Sequence, residues 1–285
     1  MILLTGATGY IGRQFVKELD KRDLKFIIAA KKDCTWDKLA DLIDGNNIDF
    51  VINAAGYTGK PNVDACESNK DDTVNGNIIL PLQVSIACTL TGTHWGHVSS
   101  GCIYSGDNDG KGFTEKDEPN FSFNNPPCSF YSGTKALSED LLKDSEVYIW
   151  RLRIPFDEYD GPKNYISKML NYDKLLNIKN SMSHRADFVS TCLDIYQRKC
   201  PHGIYNITNP GSVNAEEVVK YIKKYLRIDK EFKYFKNEEE FNNICVAPRS
   251  NCILNTDKLA ANGIIIRTVH EAIIDSLIHW RALIF

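Results

Sequence analysis

From the first residue, short apolar runs alternate with longer stretches whose apolar positions recur every three or four residues. Residues 1–4 read as a buried strand, and beyond a glycine-rich turn residues 11–21 carry helical spacing. A second strand is predicted over 26–30, a helix over 36–43, and a third strand over 50–53, ending in Ala54-Ala55-Gly56. A helix over 72–88 leads to a fourth strand at 95–98, which runs into Ser99-Ser100-Gly101-Cys102. A loop rich in proline and asparagine, 117–128, precedes a helix over 131–143 and a strand over 147–152. Strands alternating with helices predict an α/β chain with a parallel sheet, because parallel neighbours need a crossover that lays a helix on a sheet face.

Beyond Pro155 the pattern loosens, with loops expected at 157–164 and 179–185, one strand returning at 203–208, and helices at 215–226 and 268–279. The expected division is therefore a Rossmann-type unit over 1–155, helices on both faces of its sheet, and a smaller C-terminal region over 156–285 that mainly binds substrate.

Composition narrows the partners. A chain of 285 residues, 43% hydrophobic and 25% charged, can bury a full core. A net charge of −3 offers no basic excess to neutralise nucleic acid or an anionic membrane, although a small anionic ligand needs only a local basic pocket. The opening MILLTGATGYIG lacks the layout of a signal peptide, and no apolar stretch is expected to span a membrane. Nine cysteines without CxxC or Cys/His ligand spacing argue against a disulfide framework and against a metal site, so a cytoplasmic location is expected.

Two segments carry chemistry. In Thr5-Gly6-Ala7-Thr8-Gly9-Tyr10-Ile11-Gly12 the glycines sit three apart between strand and helix, where they permit a tight turn and close approach of a pyrophosphate to a helix N-terminus. The predicted cofactor contacts are Gly6, Thr8, Gly9, Tyr10, Ile11 and Gly12, with Ala54, Ala55 and Gly56 from the third strand end. Lys31 and Lys32 follow the second strand, where a basic group would accept the 2′-phosphate of NADPH; Asp33 keeps NADH possible. In Tyr131-Ser132-Gly133-Thr134-Lys135 a phenol and an ammonium share one helix face, and the ammonium is expected to lower the phenol pKa toward neutrality.

The order TGATGYIG, NAAG, SSGC and YSGTK resembles the extended short-chain dehydrogenases/reductases. Within them, GKPNVDACES, SSGCIY, PNF, SFYSGTKA, RLRIP, KNYISKML, NIKNSMS, GIYNITNPG and RSN resemble the bifunctional UDP-4-keto-6-deoxyglucose 3,5-epimerase/4-reductases of UDP-L-rhamnose synthesis, over nearly the whole chain. The resemblance implies that Ser100 binds the sugar carbonyl, Tyr131 protonates the C4 oxygen, and Lys135 holds the nicotinamide ribose. It also implies an epimerisation pair, Cys102 and Lys168, with Gly101, Asn75, Asn164, Asn180 and the diphosphate clamp Arg249 around the substrate. His184 competes with Lys168, as in the cysteine and histidine pair of GDP-fucose synthases. The implied partner is a UDP-linked 4-keto-6-deoxy sugar, and a homodimer is possible. A reductase of the dTDP-rhamnose type needs only Tyr131 and Lys135, and a non-catalytic nucleotide-binding regulator needs neither. A 4,6-dehydratase is disfavoured because Gly101-Cys102 stands where its acidic pair would be.

Overall fold

The computed structural model describes residues 1–281. β1 (Ile2–Thr5) is buried along its whole length, as a parallel strand covered on both faces must be. Its Ile2 and Leu4 pack with Phe15 and Leu19 of α1 (Tyr10–Lys21). On the other face Leu3 packs with Leu39 and Ile43 of α2 (Trp36–Gly45), which follows β2 (Phe26–Ile28). After β3 (Phe50–Asn53) and the single turn α3 (Ala65–Ser68), α4 (Lys70–Val74) runs into α5 (Leu80–Thr91) through one wide π turn, Asn75–Ile79. Then come β4 (His94–Ser100), α6 (Phe130–Leu142) and β5 (Val147–Leu152). The remaining elements are β6 (Pro155–Phe156), α7 (Tyr165–Asn171), β7 (Lys174–Leu175), β8 (Asn180–His184), α8 (Arg185–Gln197), β9 (Gly203–Asn206) and β10 (Asn209–Val213). α9 (Ala215–Leu226), β11 (Lys233–Tyr234), α10 (Glu238–Asn242), α11 (Asp257–Ala261) and α12 (Val269–Ile278) close the chain.

The main sheet has the order β2-β1-β3-β4-β5-β9 and is parallel throughout. The expected Rossmann-type α/β fold is therefore present. A second sheet, β10-β8-β6, lies with α7, α9 and α12 over a separate core that includes Phe156, Met182, Ile222 and Ile273.

Three expectations need correction. Residues 179–185 are not a loop: Asn180–His184 form β8, and α8 follows at once from Arg185, burying Phe188, Val189 and Leu193 on the α1 face of the main sheet. β2 stops at Ile28, with Lys31–Asp33 in a short turn, because Lys31 and Lys32 are exposed beyond the sheet edge. The helical run Lys70–Thr91 is long and apolar enough to cross a membrane by length and composition. It is instead a core helix here, burying Val84, Ala87 and Cys88 against α2, α6 and the sheet.

One buried ion pair braces the site from behind. Arg151 of β5 donates to Glu139 of α6 at 2.6 and 2.9 Å and to the Tyr104 hydroxyl at 2.9 Å, while Ser99 also donates to Glu139. Glu139→Ala would leave a buried guanidinium without its counter-charge, so it should lower unfolding stability by about 3–5 kcal/mol, read from denaturant melts.

Candidate active site

The glycine turn is shaped by close backbone approach. Gly6 has φ +73°, and a Cβ there would fall 2.5 Å from the Ala55 nitrogen; one on Gly12 would fall 2.0 Å from the Gly6 oxygen. Gly9 opens α1 with no side-chain cap, so the first-turn N–H groups remain available to an anion. This cradle fits a dinucleotide pyrophosphate. Thr8 is exposed beside it, and Ile11 is half-buried, packed against the main core. Tyr10 turns away: its ring stacks under the Arg185 guanidinium at 4.4 Å, and burial with Asp157 raises its phenol far above the ordinary value. At the adenosine end, Arg13, which sequence reasoning missed, lines a cavity of about 470 Å³ with Thr8 and Ile28. Its position directly after Gly12 was the available signal.

At the C-terminal end of β4, Ser100 is buried and its Oγ accepts the Cys102 N–H at 3.2 Å. Tyr131 enters in the first turn of α6, which Ser129 caps through the Ser132 N–H at 3.1 Å. The Tyr131 phenol lies beside Ser100; burial, then the nearby Cys102 sulfur, push its pKa up, against Ser100 and Arg153. Lys135 is buried, with Nζ 3.1 Å from the Val98 carbonyl and 3.3 Å from His97 Nε2, and burial draws it down to about 8. The expected lowering of Tyr131 by Lys135 is thus corrected: the amine is aimed at the strand and at His97, and desolvation of the phenol wins.

Cys102 accepts from Arg153 Nη1 at 2.9 Å. Arg153 was not anticipated, although it stands within RLRIP; it is fully enclosed and also donates to Asn180 Oδ1 at 2.6 Å and the Ser250 carbonyl at 2.5 Å. Lys168 on α7 is half-buried, its pKa lowered by desolvation and by Lys163 and Arg249, and opposed by Cys102. Lys163 donates to Thr58 and the Gly59 carbonyl and is likewise lowered by burial and Lys60. Arg249 pairs with Asp64 at 2.6 Å, and its Nη1 is buried without a partner among the described residues. Lys168 lies within electrostatic reach of Lys163 and Arg249, a cluster of cations suited to phosphate groups.

Three substrate candidates, Asn75, Asn164 and Asn180, and the acid/base candidate His184 have the following surroundings. Asn75 is exposed; two residues on, Asn77 is the buried amide, accepting from the Tyr57 N–H at 2.8 Å and donating to Thr134 at 3.2 Å. Asn164 caps α7 and spends its amide on Asp157 and Tyr159. Asn180 orients Arg153 and accepts the Cys252 N–H. His184 caps α8 within a network of Asp187, Glu158 and Arg267; burial opposes its proton, but Asp187 and Glu158 outweigh it and raise its pKa. An imidazole so tied to the start of α8 and to Arg267 is spent on holding the fold, away from Cys102.

A glycine cradle on β1, a serine at the end of β4 and a Tyr/Lys pair on α6 define an extended short-chain dehydrogenase/reductase of the nucleotide-sugar reductase type. The chain belongs to the RmlD substrate binding domain family, which matches residues 1–281. It is 33% identical over 279 residues to the bifunctional dTDP-4-dehydrorhamnose 3,5-epimerase/dTDP-4-dehydrorhamnose reductase of Arabidopsis thaliana, covering 95% of this chain and 90% of that protein. A trifunctional UDP-glucose 4,6-dehydratase/UDP-4-keto-6-deoxy-D-glucose 3,5-epimerase/UDP-4-keto-L-rhamnose-reductase of the same plant is also 33% identical, and this chain spans 41% of its length. Among solved structures, the L780 UDP-rhamnose synthase of Acanthamoeba polyphaga mimivirus superposes with a TM-score of 0.90 at 27% identity, over 98% of both chains.

Proposed function

We propose that this enzyme converts UDP-4-keto-6-deoxy-D-glucose to UDP-L-rhamnose, acting as an isomerase at C3 and C5 and then as an NADPH-dependent oxidoreductase at C4. The carrying observation is the shared neighbourhood of Ser100, Cys102, Tyr131 and Arg153, with Lys168 within electrostatic reach of the Cys102 sulfur. A C4 ketone acidifies the hydrogens on both adjacent carbons. Cys102 and Lys168, on opposite sides of the ring, remove and return those protons through enolates, and Lys168, its ammonium destabilised by burial and by neighbouring cations, is suited to take one up. Reduction comes last because it destroys the acidifying ketone. When bound, the nicotinamide supplies the hydride to C4. Tyr131 delivers the balancing proton to the C4 oxygen, which Ser100 holds, and the buried phenol keeps that proton until it is needed.

In this reading residues 1–155 bind the cofactor, 156–285 mainly bind substrate, and Lys163 and Arg249 face the diphosphate while Lys168 reaches the sugar ring. The test is the wild-type reaction in deuterated water with the keto-sugar and NADPH: UDP-L-rhamnose should carry deuterium at C3 and C5. Unlabelled product would leave a 4-reductase without epimerase activity.

For the cofactor, Arg13→Ala and the double variant Lys31→Ala/Lys32→Ala should each weaken NADPH binding by tenfold or more while changing NADH little, as expected for loss of a charged hydrogen bond worth about 1.5–3 kcal/mol. Equal effects on both cofactors in direct titration would remove the 2′-phosphate assignment. A homodimer is proposed through the outer faces of α5 and α6, where Ile86, Leu90, Leu137 and Leu141 are exposed. Leu90→Glu with Leu141→Glu should yield a monomer by light scattering. Nine unpaired thiols suit the proposed cytoplasmic location.

A further inference from the structure

Behind the catalytic pair runs a buried polar chain that the mechanism above does not use. The Asn53 amide is oriented without ambiguity, because its Oδ1 accepts the Ala55 N–H at 3.1 Å and the Thr5 hydroxyl at 2.7 Å. Its Nδ2 therefore points a donor at His97 Nδ1, 3.2 Å away. His97 is wholly enclosed, and burial together with Lys135 keeps it uncharged, so one ring nitrogen carries the only proton. With Nδ1 accepting from Asn53, that proton must sit on Nε2, which faces Lys135 Nζ at 3.3 Å. An N–H cannot be accepted by an ammonium, which has no lone pair, but it can be accepted by a neutral amine.

We propose that His97 is a positioning residue that sets the protonation of Lys135: locked by Asn53 with its proton on Nε2, it offers Lys135 a donor that only the neutral amine accepts. The amine form then donates to the Val98 carbonyl and accepts from His97, whereas the ammonium form must face His97 N–H to N–H. The remaining groups near Lys135 oppose this. Glu139, one turn along α6, and Cys102, beyond β4, favour the ammonium, but Glu139 is already held by Arg151 of β5 and by Ser99. Tyr131, on the same helix face, is protonated. The balance makes Lys135 an amine/ammonium switch close to neutral pH, coupled through Asn53 to the Ala54-Ala55 backbone that packs against Gly6 of the cofactor cradle.

The consequence for activity rests on the proposed reductase role, extended by one step: Tyr131, having given its proton to the C4 oxygen, is reprotonated at the expense of the Lys135 ammonium. Reduction should then fall as pH rises through about 8, where Lys135 loses its proton. Asn53→Asp keeps the shape but replaces the amide donor with a carboxylate; His97 should turn its proton to Nδ1 and present a lone pair to Lys135, moving the falling limb of kcat up by about one pH unit or more. His97→Gln can keep an acceptor toward Asn53 and a donor toward Lys135, and should hold the limb where it is. A limb unmoved in Asn53→Asp, or moved equally in both variants, overturns the proposal. Should Asn53→Asp not fold, the wild-type protein still decides: two-bond 15N–1H correlation spectra, with the His97 signal assigned by its loss in His97→Gln, should show an Nε2-protonated neutral ring at pH 7. An Nδ1-protonated or doubly protonated ring refutes the lock. This readout needs no turnover, so it separates failure of the proposal from failure of the assigned reaction.

Discussion

Tyr131→Phe should lower net reduction of the keto-sugar by roughly a hundred- to ten-thousand-fold, the usual contribution of a positioned acid, while leaving the melting transition nearly unchanged. Only the phenolic oxygen is removed, and Ser100 remains to bind the carbonyl and to accept the Cys102 N–H. The upward push on the phenol means that at neutral pH it is protonated, the form in which a donor is useful in the reductive direction. Deuterium exchange at C3 or C5 should persist in this variant. Full reduction by Tyr131→Phe, measured as NADPH oxidised per product formed, would move the acid to another group.

The converse separation is expected at Cys102 and Lys168. Cys102→Ala or Lys168→Gln should cut formation of the inverted product by on the order of a hundredfold or more, since each takes away one of the two proton carriers. Slow reduction of the uninverted ketone should continue, giving a different 6-deoxy sugar, because Tyr131, Lys135 and the cradle are untouched. Product analysis by NMR distinguishes the two sugars at C3 and C5. A Cys102→Ala enzyme that still forms rhamnose at the wild-type rate would return Cys102 to a packing role beside Arg153.

The main sheet was legible because its strands are short apolar runs with glycine-marked ends, and its parallel order follows from helices between them. The Tyr131/Lys135 pair and the glycine turn were legible because their spacing is itself the chemistry. β8 and α8 were not, since Asn180, Ser181, Ser183 and His184 are polar yet buried, and no periodicity reports that. Asn77 was invisible for a similar reason: it lies in a π turn, and only the fold reveals that its amide points inward, to Tyr57 and Thr134. Arg153 and His97 were missed for a related reason. Each acts by contact with residues far away in sequence, Arg153 with Asn180 and Ser250, His97 with Asn53 and Lys135.

Arg153 has a consequence for how such proteins can recombine. Its guanidinium ties the thiol after β4 to the Asn180 amide of β8 and to the backbone at Ser250, so one side chain depends on the placement of three distant stretches at once. A chimaera that takes its first half from this chain and everything beyond β6 from a relative must import an amide at position 180 and a carbonyl at the height of Ser250, or it inherits a buried cation with nothing to hold. Inheritance of the cysteine therefore depends on inheritance of the loops opposite it, and the two halves are expected to travel together in lineages where the thiol is used.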